Sequence, residues 1–411
     1  MRLSRSHRVG PERIVMVNFE YLVPTKIVFG KDTELEAGRL VKEFGGHKAL
    51  IHWGGDYVRD TGLLARVEQG LTDAGIAYVE MDGVVPNPRL SLVKKGVELC
   101  RAEGVDFILA IGGGSAIDSS KAIAYGLAND FELEDLFLGK VSTTKIAKIA
   151  AISTLAGTGS ETSNSTVINI DTMGDKMLKR SYNHECARPL FAIMNPELTY
   201  SLPAYQTAAP GADIMMHTME RYFTTEQHVE LSDEIAEGLL RTVKTMVPAA
   251  LKEPHSYAAR ANLLLAGSKS HDGLTGLGRV GDFACHAIEH EIGAMFDVAH
   301  GAGLTAIWSS WAKYVIDVDP ARFAQFAVNV WGVQNDFHDP KATGLRGIEA
   351  WDEWCHAIDM PTNLHDLGVD PTDEQIHEMA QGAVDARGGD HAGAFMELHV
   401  EDIEQILKNA R

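Results

Sequence analysis

The chain has 411 residues and a formal net charge of −20. That length suits two domains better than a single core. The acidic balance is offset by no Lys/Arg cluster, so it argues against a nucleic-acid surface, which needs a basic stripe, and reads as a solubility feature. No apolar run approaches the ~20 residues that a membrane-crossing helix requires. The four cysteines, Cys100, Cys186, Cys285 and Cys355, are widely spaced. They form neither a disulfide framework nor a paired metal or redox motif, which fits a cytoplasmic protein.

The start, Met1 to Arg13, is basic but has no apolar stretch behind it, so it is not a secretory signal. Residues 1–15 are expected to be a disordered extension. From there short β-rich runs alternate with helical stretches. Tyr21–Phe29, Lys48–Trp53, Ala77–Met81, Val105–Ile111 and Lys148–Thr154 read as strands. Helices are expected near Gly62–Ala74, Leu90–Glu103 and Ile117–Leu127. This alternation predicts an α/β domain with a mostly parallel, Rossmann-like sheet and helices on both faces, over residues 16–202. After Leu202-Pro203 the strand signals stop. Tyr205–Phe223, Leu231–Met246, Tyr257–Ser270, Asp282–Phe296, Gly303–Ile316, Asp373–Ala386 and Asp402–Asn409 have helical periodicity. They predict an all-α second domain over 203–411.

Three loops at expected strand ends are rich in small residues. Gly112-Gly113-Gly114-Ser115 stands between a strand and a helix, where glycines let backbone approach an anion and a helix N-terminus supplies oriented N–H groups. The spacing is neither G-x-G-x-x-G nor a Walker loop, and a tight turn that merely needs glycine explains it equally well. Ser153 to Glu161, with Thr154, Thr158 and Ser160, forms a second loop beside it. In open parallel sheets such strand ends form the ligand crevice. Gly54-Gly55-Asp56 is the third. Asp56 is placed to hold ribose hydroxyls, or is simply a turn residue.

The helical half pairs acids and histidines at i, i+4, one turn apart on one face: Asp213 with His217, and His286 with His290. His300 follows, after a break expected near Gly293. Carboxylate plus imidazoles suit Fe²⁺ or Zn²⁺. With 17 histidines in the chain, one such pair by chance is unremarkable. Two pairs among apolar neighbours are less so, because buried polar groups need partners and a shared ion supplies them.

At these residues the chain resembles the iron-containing (group III) alcohol dehydrogenase family, nearest its butanol dehydrogenase and aldehyde reductase branch. The resemblance rests on Gly112 to Ser115 followed by Asp118 and Lys121, on Thr154 to Glu161, on Asp213 and His217, and on His286 to Gly301. It implies Asp213, His217, His286 and His300 as metal ligands, with His290 nearby but not a ligand. It also implies the triple-glycine loop on a pyrophosphate, the Thr154–Ser160 loop toward the nicotinamide, and a lysine near the nicotinamide ribose. That lysine falls on Lys179, or on Lys176 under another alignment. A cleft between the domains and a homodimer are implied as well. Asp56 would repel a 2′-phosphate and Arg59 would attract one; the balance favours NAD over NADP.

The expected reaction is hydride transfer between the nicotinamide and a small primary alcohol or aldehyde, with the metal as Lewis acid. His290 is the expected proton relay, on the ground that histidine titrates near working pH. Glycerol dehydrogenases, maleylacetate reductases and dehydroquinate synthase share the implied architecture. The last would need a basic cluster near His286–His300 that the sequence lacks. A metal hydrolase would not need the glycine-rich loops, and a non-enzymatic nucleotide-binding protein would not need the metal.

Overall fold

Burial on both faces explains the apolar runs of the first half. In the computed structural model, which describes residues 16–174 and 177–411, six of them pair into one parallel sheet of order β1-β8-β5-β4-β2-β3. The segment 1–15 and Lys176 lie outside the described residues. The elements run β1 Lys26–Phe29, α1 Ala37–Glu43, β2 Lys48–Trp53, α2 Tyr57–Asp60, α3 Leu63–Ala74, β3 Ala77–Met81, α4 Leu90–Glu103 and β4 Phe107–Gly112. They continue through α5 Gly114–Ala128, α6 Leu133–Phe137, β5 Lys148–Ser153, β6 Ser165–Ile170, β7 Leu178–Asn183 and β8 Phe191–Met194.

Strand periodicity assigns the two faces. Ala49, Ile51 and Trp53 of β2 pack with α1 and α3, while Leu50 packs with α4 and α5. His52 is fully buried, and burial drives its pKa down to about 4. Its Nδ1 lies 2.9 Å from the carbonyl of Met81, which can only accept, so Nδ1 carries the proton. Nε2 then accepts from the Ser119 hydroxyl at 2.8 Å. A neutral histidine thus ties α5 to β2 and β3, and fixes where α5 begins over the strand ends.

The second half is helical: α7 Tyr205–Tyr222, α8 Glu230–Lys252, α9 Tyr257–His271, α10 Ala284–Phe296, α11 His300–Val315, α12 Pro320–Phe326, α13 Pro340–Ala357, α14 Asp373–Asp385 and α15 Val400–Asn409. Its core runs from Met215 and Met219 on α7 to Trp308, Trp311 and Trp351. Among the described residues no helix is long and apolar enough to cross a membrane.

Three features depart from expectation. The first strand begins at Lys26 rather than Tyr21. Pro24 has no N–H to give a ladder, and pairing starts with Lys26 on Phe191. The helix carrying His286 ends at Phe296, as its periodicity indicates, but without the break expected near Gly293. That glycine answers a close approach instead: a Cβ there would stand 3.2 Å from Lys179 Nζ and 3.0 Å from Glu289 Oε1. Third, β6 and β7 form an antiparallel hairpin outside the main sheet, with Asn169 opposite Lys179, Val167 opposite Ser181 and Ser165 opposite Asn183. Neither this hairpin nor β8 was expected.

The start of α11 lies directly on α7, since a Cβ on Gly301 would overlap the Ala209 carbonyl. Gly301→Ala is therefore expected to cost about 1–3 kcal/mol of stability and to displace the adjacent His300. Denaturant unfolding with metal titration checks this. Wild-type stability and wild-type metal affinity together would show that the contact relaxes freely.

Candidate active site

The glycine-rich strand end is shaped by its neighbouring loop. Gly112 has φ +151°, and a Cβ there would stand 2.7 Å from Ala116 Cβ. A Cβ on Gly114 would overlap the Thr158 side chain. The 153–161 loop in turn packs on the helical half: a Cβ on Gly157 would come within 2.6 Å of Pro210 on α7, and one on Gly159 within 2.9 Å of His271 on α9. Small residues thus bring the N-terminus of α5, with its oriented first-turn N–H groups, up to the helices that carry the acid and the histidines.

Asp213 sits at their centre, 2% exposed. Its Oδ1 lies 3.5 Å from His217 Nδ1, 3.6 Å from His286 Nε2 and 3.7 Å from His300 Nε2. The donor atoms of Asp213, His286 and His300 all fall within 4.8 Å of one another. Asp213 Oδ1, His217 Nδ1 and His286 Nε2 are buried with no hydrogen-bond partner among the described residues. Orphaned buried groups are costly. Ligand bonds of ~2.0–2.2 Å in a tetrahedral site put donor atoms roughly 3.3–3.6 Å apart. The residues fit a divalent ion.

The outward nitrogens are held by carboxylates. Glu220 on α7 bonds His286 Nδ1 and also accepts from the N–H of Cys285 at 2.7 Å. Glu289 on α10 bonds His300 Nδ1 and takes Lys179 Nζ at 3.1 Å. Each Glu draws the proton to Nδ1 and turns Nε2 toward Asp213, the arrangement that orients metal-binding imidazoles. Burial opposes ionisation of Asp213, but the three imidazoles outweigh it and hold its carboxyl well below the usual range. Burial likewise opposes a charge on His286, yet Glu220 and Asp213 push its pKa up to about 9. The pole favours a cation.

A cleft of about 340 Å³ joins this pole to the strand ends. Ser115, Asp118, Thr158, Ser160, Lys179, His217, His286, His290 and His300 line it. The Asp118 carboxylate is already held by the Ser160 hydroxyl and, at 3.1 Å, by the Val167 N–H. Lys179 reaches the metal pole through Glu289. Gly112, Gly113, Gly114 and Thr154 stand outside the lining at the strand ends; Thr154 Oγ1 bonds the Tyr57 hydroxyl at 2.8 Å. Asp56 is exposed and also outside the lining. Burial drives the pKa of His290 well below the usual value, with Lys179, His300, His286 and Arg387 adding to it. That direction favours the neutral ring and runs against the expectation that it titrates near working pH.

Sequence reading missed Glu220 and Glu289, although their spacing was informative. Glu220 follows Asp213 by seven residues and Glu289 follows His286 by three, so each shares a helical face with a ligand candidate. Arg221, His271, Phe283 and Arg387 also line the cleft and carried no spacing signal.

Residues 24–196 match the family described as "Iron-containing alcohol dehydrogenase", and 207–411 match "Fe-containing alcohol dehydrogenase family, C-terminal". The chain belongs to the iron-containing alcohol dehydrogenase family. It is 36% identical over 396 residues to NADH-dependent butanol dehydrogenase A of Clostridium acetobutylicum, covering 96% of this chain and 100% of that one. It is 34% identical to the NADPH-dependent aldehyde reductase YqhD of Escherichia coli, over 86% of this chain and 90% of that one. The crystal structure of an NADH-dependent butanol dehydrogenase A from Thermotoga maritima superposes with a TM-score of 0.91 at 34% identity, covering 97% of this chain and 99% of that one.

Glu220→Gln keeps an acceptor for the α10 N–H groups but removes the charge behind His286. Metal affinity is expected to fall ~10–100-fold, read by competition with a chelator. An unchanged affinity would reduce Glu220 to a helix cap.

Proposed function

We propose that this chain interconverts small aldehydes and primary alcohols using a nicotinamide cofactor and a divalent ion held by Asp213, His217, His286 and His300. The observation that carries the reading is a single cleft running from the helix N-terminus behind Ser115 to a buried set of unpartnered metal-donor atoms. Family membership makes the protein an NAD(P)-linked oxidoreductase of alcohols and aldehydes. A hydrolase would have no use for the paired glycine-rich loops.

When bound, the ion supplies Lewis acidity toward the substrate oxygen, and the nicotinamide supplies or accepts the hydride. The chain's own residues do the rest. Gly112–Ser115 present backbone N–H groups to a pyrophosphate, while Thr158, Ser160 and Asp118 line the path toward the metal pole. Glu220 and Glu289 lock the two imidazoles, and Lys179 neutralises Glu289. Beside His300, with ring centroids 5.8 Å apart, His290 offers a neutral ring that can accept a hydrogen bond.

NADH is favoured by the exposed carboxylate of Asp56 at the end of β2 and by the NADH dependence named for the butanol dehydrogenases. Iron and zinc both suit an Asp-His₃ donor set. A homodimer is favoured by the exposed apolar side chains of Phe19 and Leu22 in the segment preceding β1. A cytoplasmic location fits four unpaired cysteines.

The test is metal analysis with NADH and NADPH oxidation by butanal, with and without a chelator, on wild type, Asp213→Ala and His286→Ala. Both variants are expected to keep a folded sheet, to lose metal and to fall below about 1% of wild-type turnover, since loss of a carboxylate behind a ligand alone costs ~10–100-fold. Full metal content in either variant would overturn the ligand assignment. His290→Ala is expected to lower kcat by less than about tenfold without changing the pH profile; a loss of ~10²–10⁴ would restore a proton-relay role.

A further inference from the structure

The helix α9 ends at His271, and a cation from α7 holds its last turn. The Arg221 guanidinium donates through Nη1 to the carbonyls of His217 at 2.7 Å and Ser270 at 3.1 Å. It also lies 4.7 Å from the centroid of the Phe283 ring. Carbonyls at a helix C-terminus lack intrahelical partners, and a cation there is favourable. The other terminal nitrogen, Nη2, stands 3.3 Å from Nδ1 of His271. A guanidinium only donates, so Nδ1 accepts and has no hydrogen of its own. The imidazole is therefore the neutral tautomer with its hydrogen on Nε2.

Most of that ring's surroundings are taken. The Cβ of His271 backs onto the 153–161 loop, where a Cβ on Gly159 would come within 2.9 Å of it. The ring packs against that of His217, with centroids 4.0 Å apart and planes at 37°. Nδ1 is occupied by Arg221. The Nε2–H has no hydrogen-bond partner among the described residues. His271 lines the same cleft as His217, His286 and His300. It thus connects the loop expected to face the nicotinamide with an imidazole of the metal pole. An aldehyde undergoing hydride transfer must lie between the same two.

We infer that His271 is a catalytic residue whose Nε2–H donates a hydrogen bond to the carbonyl oxygen of the aldehyde. This rests on reading the cleft as a carbonyl-reducing site and adds a donor to it. Negative charge grows on that oxygen as hydride reaches the carbon, so the bond strengthens toward the transition state. A neutral imidazole can polarise a carbonyl in this way without giving up its hydrogen. Arg221, bonded to Nδ1, polarises the ring and makes Nε2–H the stronger donor. The carbonyl carbon takes the hydride, one NAD(P)H becomes NAD(P)⁺, and the oxygen takes its proton from water. His271 ends each turnover in the tautomer in which it began.

Two measurements on the metal-loaded protein test this. The first is kcat for butanal in His271→Phe, which keeps an aromatic ring beside His217 without the donor, and in His271→Gln, whose amide N–H can stand in for Nε2–H. His271→Phe is expected to lower kcat at least ~10-fold, and KM by much less, with His271→Gln recovering most of the loss. Metal content and NADH affinity are expected to match wild type in both. The second is calorimetric binding of butanamide, whose carbonyl accepts a hydrogen bond but no hydride, to the NADH-loaded protein. Its affinity is expected to fall about tenfold in His271→Phe and to return in His271→Gln. Wild-type kcat in His271→Phe would overturn the inference and leave the reaction class standing. So would a loss that His271→Gln does not restore, or one that appears as weaker NADH binding. If wild type reduces no aldehyde, the reaction class fails and the binding arm still decides. Butanamide held through His271 upholds the donor, and butanamide bound no better by wild type than by His271→Phe removes it.

Discussion

Asp213 brings a carboxylate into the interior of the helical half, where three imidazoles stand 3.5 to 3.7 Å from its Oδ1 and those of His286 and His300 gather with it closely enough to share an ion. Most of the surrounding architecture serves that one point of unsatisfied charge. Glu220 and Glu289 stand behind two of the imidazoles, Lys179 stands behind Glu289, and Arg221 bonds the carbonyl of His217. Removing any one carboxylate leaves a buried imidazole or ammonium without its partner, which costs more than the contact itself stabilises. The proposed ligands and their supports are therefore expected to behave as one unit.

The second constraint is distance between the halves. A hydride donor must reach the substrate held at the metal pole, so the α/β crevice and the helical pole have to share one cleft. Small side chains achieve this. Gly114 accommodates Thr158, Gly157 accommodates Pro210 and Gly301 accommodates Ala209. The first two bring the strand-end loops onto each other and onto α7, the third seats α11 on α7, and together they set His300 and Ser115 on the same cleft. Both residues flanking α10, Phe283 and Asp297, hold positive φ values of 56° and 52°. Backbone in that region is costly outside glycine, and here it flanks the helix carrying His286 and His290.

Much of this was legible in the sequence because the responsible signals are local. Period-2 and period-3.6 patterns gave the central strands and the long helices. The i, i+4 pairs gave the metal candidates, and the resemblance supplied their grouping. The β6–β7 hairpin escaped because its alternation is weak: Ile168 and Ile170 of β6 and Leu178 and Tyr182 of β7 face the core, while Val167 interrupts the polar face and Thr166 and Arg180 the apolar one. Glu220 and Glu289 escaped because a supporting carboxylate looks like any helix acid until its partner is seen across the fold. Arg387 lies about a hundred residues from the Phe283 carbonyl it bonds, and no spacing rule spans that. Spacing put His290 on the helical face of His286, and the burial and neighbouring charges that lower its pKa carry no spacing signal.

The most direct measurement is anomalous diffraction at the iron and zinc edges from crystals of the purified protein. One peak within about 2.0–2.3 Å of Asp213, His217, His286 and His300 is the expected result. A peak elsewhere, or none from metal-replete protein with Asp213 and His286 closed into a direct hydrogen bond, would contradict a fold organised around a shared ion.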